Sequence, residues 1–144
     1  MRKPVPATIL AVDPGRSKSG IAVVSGPHPI QVLQHSVVES SSLTDALQSV
    51  LQQHPQIMSV VMGNGTGSEK LASAVREQLI GVDLVLVDEH GTSEQARARF
   101  VAEEPLPLLQ RLLPRGLRSP DRPYDDYVAI ILAERYFEAM AQLP

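Results

Sequence analysis

Thr8-Ile9-Leu10-Ala11-Val12-Asp13-Pro14-Gly15, followed closely by Gly20-Ile21-Ala22-Val23-Val24, decides the architecture. Each is a short run of β-formers, and Asp-Pro-Gly is turn chemistry, so the pair reads as two strands joined tightly. Ser25-Gly26-Pro27 stops the second, and Ile30 to Val38 mixes apolar with polar residues as a third strand. Two tight connections in succession predict an antiparallel meander.

Beyond it the period changes. Leu43, Ala46, Leu47, Val50 and Leu51 fall at the spacing of an amphipathic helix. Ile57 to Met62 predicts a fourth strand, ended by Gly63-Asn64-Gly65-Thr66-Gly67. Thr66 and Glu69 have capping-box spacing for a helix carrying Leu71, Ala74, Val75 and Leu79. Leu84 to Val87 reads as a fifth strand, and Thr92 with Gln95 makes another capping-box pair, with Thr92 as the cap of a helix reaching about Ala102. Residues 103–123 hold five prolines with Arg111, Arg115, Arg118 and Arg122. Leu106, Leu108, Leu109, Leu112 and Leu113 lie there too and are expected to need burial. A last helix starts at Asp125 or Asp126 and runs to about Ala141. The expected fold class is α/β, a five-stranded mixed sheet (antiparallel meander, then parallel strands) flanked by helices, as one domain over residues 1–144.

Composition narrows the function classes. The formal charge is −3, from 13 Lys and Arg against 16 Asp and Glu, which argues against holding polyanions by bulk positive charge. Cysteine is absent, which excludes disulfides, thiolate zinc sites and cysteine nucleophiles. Aromatics are 3% with no Trp, so a base-stacking platform is not expected. No apolar run approaches the roughly 18 residues of a membrane span, and Asp13 interrupts any signal-like start, so a cytoplasmic location without a membrane partner is expected.

Three acidic positions stand at element ends: Asp13, Asp88-Glu89 and Asp125-Asp126. Parallel neighbouring strands would bring Asp13 and Glu89 to one sheet edge, and a helix start crossing it would add Asp125 or Asp126. Clustered carboxylates repel unless a cation neutralises them, and hard oxygen donors point to Mg²⁺ or Mn²⁺. Taken singly, Asp13 reads as a turn residue, Asp125 as a helix cap and Asp88-Glu89 as a solvated loop; only their joint placement suggests a site. Gly63 to Lys70 matches neither a Walker A loop nor a dinucleotide fingerprint. It reads first as a structural turn and second as a phosphate contact. His28, His35 and His54 read as surface residues, whereas His90 adjoins Glu89.

Assembled, these stretches resemble the YqgF/RuvX family of Holliday-junction-resolvase-like and pre-16S rRNA nucleases in the ribonuclease-H-like superfamily. Ile9 to Arg16 with Lys18 to Val23 looks like its first motif, and Val60 to Gly63 with Thr66 to Ser68 like its glycine motif. Val87-Asp88-Glu89 with Thr92-Ser93 and Ala96 is similar to its Asp-Glu-Arg-x-Thr motif. Tyr124 to Ala129, running to Leu132, Arg135 and Tyr136, is similar to its C-terminal helix. The chain departs at His90, where Arg is common, and at Asn64.

The resemblance implies a ribonuclease-H-like fold and phosphodiester hydrolysis with two Mg²⁺ or Mn²⁺ ions roughly 4 Å apart. Asp13 would bridge them, with Glu89 and Asp125 each holding one and Asp126 the alternative ligand. One ion would lower the pKa of the attacking water and the other stabilise the leaving oxygen. Arg16, Lys18, Gly63, Thr66, Lys70, His90, Arg97, Arg99, Arg115 and Arg118 are the substrate candidates. Processing of the 5′ end of precursor 16S rRNA is the first expectation, and a resolvase acting on branched DNA the alternative. The second requires a two-fold dimer; a monomer or a homodimer is the expectation overall. An actin-like ATP-binding module would need a second such domain, and an inactive nucleic-acid-binding domain would not need all three acids. Setting aside Asp13, Glu89, Asp125 and Asp126 leaves the remainder at +1, so part of the negative charge belongs to the expected site.

Overall fold

The structure is a computed structural model describing residues 6–65, 68–79 and 81–142. Its strands are β1 (Ala7–Asp13), β2 (Lys18–Gly26), β3 (Gln31–Glu39), β4 (Ser59–Gly63) and β5 (Asp83–Val87). They form one sheet in the order β3-β2-β1-β4-β5. β1 pairs antiparallel with β2, and β2 with β3, while β1–β4 and β4–β5 are parallel. This is the mixed sheet the sequence predicts. Strand β4 begins later than its apolar run, because the Ile57 amide donates to His54 O at 3.0 Å and is spent in a turn.

Alternation along the strands separates two cores. Leu10, Val12, Ile21, Val23, Val60 and Met62 pack beneath α1 (Leu43–Gln53) and α2 (Ser68–Gln78). Ile9, Ala11, Ala22, Val24 and Val61 face α3 (Thr92–Glu103) and α5 (Asp125–Ala141). Asp13 shares the parity of Ile9 and Ala11, so its side chain emerges on the α5 face.

Helix α5 is buried over most of its first three turns, from Asp126 through Ala133, and again at Phe137. It lies along the β2 face made by Gly20, Ala22, Val24 and Gly26. A Cβ at Gly26 would stand 2.9 Å from the Phe137 ring, and one at Gly20 would stand 1.8 Å from Asp125 O. Glycines at both ends of this face therefore set how closely the helix can lie on the strand.

Two sequence expectations fail here. Thr92 is not a cap: Gly91 occupies that position in the left-handed region at φ 72°, and the Thr92 hydroxyl donates back to Glu89 O at 2.8 Å. Of the leucines in 103–123 only Leu106 is buried; Leu108, Leu109 and Leu112 are 71–79% exposed. The segment, with α4 (Leu108–Arg111) at its centre, is held instead by arginines bonded to its carbonyls. Arg111 Nε donates to Leu106 O at 2.8 Å, and Arg118 donates to Leu113 O and Arg111 O at 2.9 Å.

Replacing Phe137 with Ala empties the space over Gly26, because the ring is 1% exposed. Urea unfolding should show a loss of about 3–5 kcal/mol.

Candidate active site

The site grows from the end of β1. Asp13 pairs in register with Gly20, whose missing side chain admits the first turn of α5 directly onto β2. That approach delivers Asp125, the first residue of the helix, to Asp13, so that both carboxyl groups line one cleft and the Asp125 charge acts on Asp13. The turn after Asp13 is stapled by serines. Gly15 N donates to Ser19 Oγ at 3.1 Å, Ser40 Oγ donates to Gly15 O at 2.7 Å, and the two hydroxyls meet at 2.8 Å.

Glu89 arrives from the far side of the sheet edge, just past β5. Its carboxylate occupies the recess left by two glycines: a Cβ at Gly63 would lie 2.5 Å from Oε2, and one at Gly65 1.5 Å from Oε1. The glycines thus accommodate a carboxylate. The phosphate-contact reading of Gly63 finds no support in this geometry, and Thr66 lies outside the described residues. The corner is fixed by Asn64 N donating to Val87 O at 3.1 Å and Arg135 donating to Asp88 O at 2.8 Å.

Asp125 and Asp126 part company. Residues one apart on a helix are separated by about 100°, and Asp126 turns inward, 1% exposed. Its carboxylate meets His35 Nδ1 at 2.7 Å and Arg122 at 3.3 Å. Arg122 also reaches Glu104 at 3.4 Å and stacks over Phe100, 4.9 Å from the ring centroid. Tyr127 donates to Glu104 at 2.7 Å. The structure therefore gives Asp126 to this network and not to the Asp13 cluster; His35 stands at the surface, as expected, with its ring turned to Asp126.

Burial pushes the Asp13 carboxyl up to about 7, with the charges of Asp125 and Glu89 adding to the effect. Asp125 is also pushed up, first by burial and then by Asp126, against the opposing hydrogen bonds of its backbone and Asp13. Mutual repulsion of this kind is what a divalent cation relieves, and the all-oxygen donor set suits Mg²⁺ or Mn²⁺. As arranged, no group of three or more His, Asp or Glu among the described residues encloses a metal position. Asp13 and Asp125 are paired, and Glu89 rests in its glycine recess.

The sequence-predicted basic residues divide among separate surfaces. Arg16 and Lys70 line one cleft of about 430 Å³ between the β1–β2 turn and α2. Asp13 and Asp125 line another of about 300 Å³ with Ser93, Pro120 and Arg122. Arg97 and Arg115 share a third. His90 stands with Asp88 and Arg135 at the rim of a larger, mostly apolar cavity of about 640 Å³ beside β5, apart from the acidic pair. Lys18 is paired with Glu39, and Arg99 with Glu103 and Glu134. Arg97 donates to Arg118 O at 2.7 Å. Sequence reasoning overlooked Arg122, His35 and the role of Gly20. A glycine inside an otherwise β-branched strand is the signal that could have found the last.

The arrangement defines a ribonuclease-H-like fold, and comparison with solved structures agrees. Thermus thermophilus RuvC in complex with a Holliday junction substrate superposes with a TM-score of 0.58 at 19% identity, covering 94% of this chain and 96% of that one. The Fowlpox virus resolvase in complex with Holliday junction DNA gives 0.65 at 10% identity, covering 94% and 99%. Neither a protein-family profile nor a curated protein sequence matches the chain. Among the described residues no helix is long and apolar enough to cross a membrane.

Asp13 binds its proton more tightly folded than unfolded, with a folded value of about 7 against an ordinary 3.8. Stability of the metal-free protein from this group should be greatest at low pH and fall as pH rises through that window. Asp13→Asn should remove the fall and raise stability above pH 7 by on the order of 2 kcal/mol, a shift of a few degrees in Tm. Gly20→Ala should instead push the start of α5 away, weakening both the pH dependence and the fold. Thermal melts from pH 4 to 8 in chelator check both, and unchanged profiles would refute the carboxyl pairing.

Proposed function

We propose that this chain is a divalent-metal-dependent nuclease that hydrolyses phosphodiester bonds in structured nucleic acid, with four-way branched DNA as its favoured substrate class. The observation that carries this reading is the Asp13–Asp125 carboxyl pair at the sheet edge where Glu89 also emerges. Support for the substrate comes from the two resolvases of like fold, both solved with Holliday junction DNA. Asp13, Asp125 and Glu89 would hold Mg²⁺ or Mn²⁺; bound there, the metal supplies charge stabilisation for the attacking and leaving oxygens.

The protein's own groups set the rest. Asp13 and Asp125 would serve as ionised oxygen acceptors once a cation relieves their repulsion, and the Gly63–Gly65 recess leaves the Glu89 carboxylate at the same edge. Arg122 walls the acidic cleft while neutralising Asp126 and Glu104. Arg16 and Lys70, sharing the neighbouring cleft, suit a flanking phosphate. Symmetric cutting of two strands requires two such sites, hence a two-fold dimer. Processing of precursor 16S rRNA, the first expectation from the YqgF/RuvX resemblance, is the second reading and rests on the motifs alone.

Cleavage assays with Mg²⁺ or Mn²⁺ on a four-way DNA junction, a linear duplex and a structured RNA test the proposal, alongside sedimentation for the oligomeric state. Asp13→Asn and Asp125→Asn should each lower the rate by about 100-fold or more. Asp126→Asn should chiefly lower Tm, since it disturbs a buried ion network. Equal, mild losses at 125 and 126 would reduce the helix start to a cap. Cutting by Asp13→Asn at the wild-type rate would refute the nuclease reading, and RNA cut in preference to the junction would transfer it to the second substrate.

A further inference from the structure

Segment 105–120 is the anomaly that neither the fold nor the acidic site explains. Leu108, Leu109, Leu112 and Leu117 are 65–79% exposed, and Leu113 is 39% exposed. Single exposed leucines are ordinary, but five on one short segment form a patch that calls for a ligand. The backbone is not loose: the arginine–carbonyl bonds from Arg111, Arg118 and Arg97 brace it from Leu106 to Arg118. The leucines are therefore held outward on a preorganised support.

Charge and position identify the occupant. Between Pro105 and Pro120 the chain has Arg111, Arg115 and Arg118 and no acidic residue. A second copy offering the same face would bring the same positive charge, which opposes self-association. The segment also runs directly into the acidic cleft, whose wall includes Pro120, Arg122 and Pro123. Leu117 and Pro120 are three residues apart, so their Cα atoms lie within roughly 11 Å, about three base-pair steps. The C-terminal end of the segment therefore lies within reach of a polyanion seated on the acidic site.

We infer that segment 105–120 is a nucleic-acid contact that places leucine side chains against exposed base faces next to the cleavage site, with Arg115, which is not part of the brace, on a flanking phosphate. Leucine reads neither phosphates nor base edges; it gains contact where stacking is interrupted. In an intact duplex that interruption costs a few kcal/mol per step, whereas a branch point already supplies it. The segment thus favours branched over continuous duplex substrate. The inference rests on the nuclease reading for its substrate class, but its test reads binding alone.

The test compares protein with and without Leu109→Ser/Leu112→Ser, both carrying Asp13→Asn to prevent cutting. Anisotropy is measured on a fluorescent four-way DNA junction and on a linear duplex of the same arm sequence. Because both leucines are exposed, Tm should stay unchanged. Junction Kd should rise about 10-fold with duplex Kd within about 2-fold. Arg115→Ala should weaken both alike, as a phosphate contact does. A 2-aminopurine at the branch should brighten on binding the parent protein and not the leucine variant. An unchanged junction-to-duplex ratio, or a parent with no junction preference, overturns the inference and leaves the patch to a protein partner. If the ratio falls while wild-type protein cuts nothing, the nuclease reading alone fails. If wild-type protein cuts while the ratio holds, the leucine contact alone fails.

Discussion

The closeness of α5 to β2 is the constraint from which the site follows. Without a side chain at Gly20, the Asp125 carbonyl comes where a Cβ would otherwise stand, 1.8 Å away. Because Gly20 is the register partner of Asp13, the same contact that seats the helix also sets two carboxyl groups against each other. Packing and chemistry are therefore one geometric fact. The Asp13 carboxyl, pushed up to about 7 by burial and by its acidic neighbours, marks the electrostatic cost of that arrangement without a cation.

Around this contact the protein holds its first helical turn from behind. Asp126, buried beside His35 and Arg122, ties the start of α5 to β3 and to the end of the 103–123 segment. Arg122 continues to Glu104, and Tyr127 reaches the same carboxylate, so the network spans α3, α5 and the sheet. No buried polar side chain among the described residues is left without a partner. Such a satisfied network orients what it touches, and what it touches here is the residue after Asp125.

Much of this was legible in the sequence because it depends on local patterns. The turn at Asp13-Pro14-Gly15, the meander and the later alternation of strand and helix follow from β-branched runs, turn residues and helical spacing. The placement of Asp13 and Glu89 at strand ends follows from the same signals. The 103–123 segment misled because leucine normally implies burial. Its order comes from arginines bonded to carbonyls 5 to 21 residues away, a solution no hydrophobic pattern announces. Thr92 misled because Gly91, in the left-handed conformation, takes the cap position one residue earlier, and the Thr92 hydroxyl donates to Glu89 O instead.

The sequence by itself determined the elements, their order and the parity that sends Asp13 to the α5 face, since alternation and helical period are intrinsic to the backbone. Only the tertiary structure decided which of two adjacent aspartates joins Asp13, what the glycines after β4 are for, and which leucines stay outside. Each of these depends on a neighbour distant in the chain. The 100° between residues 125 and 126 is fixed locally, but the direction they divide is set by where α5 meets Gly20, and the recess at Gly63 and Gly65 has meaning only once Glu89 fills it.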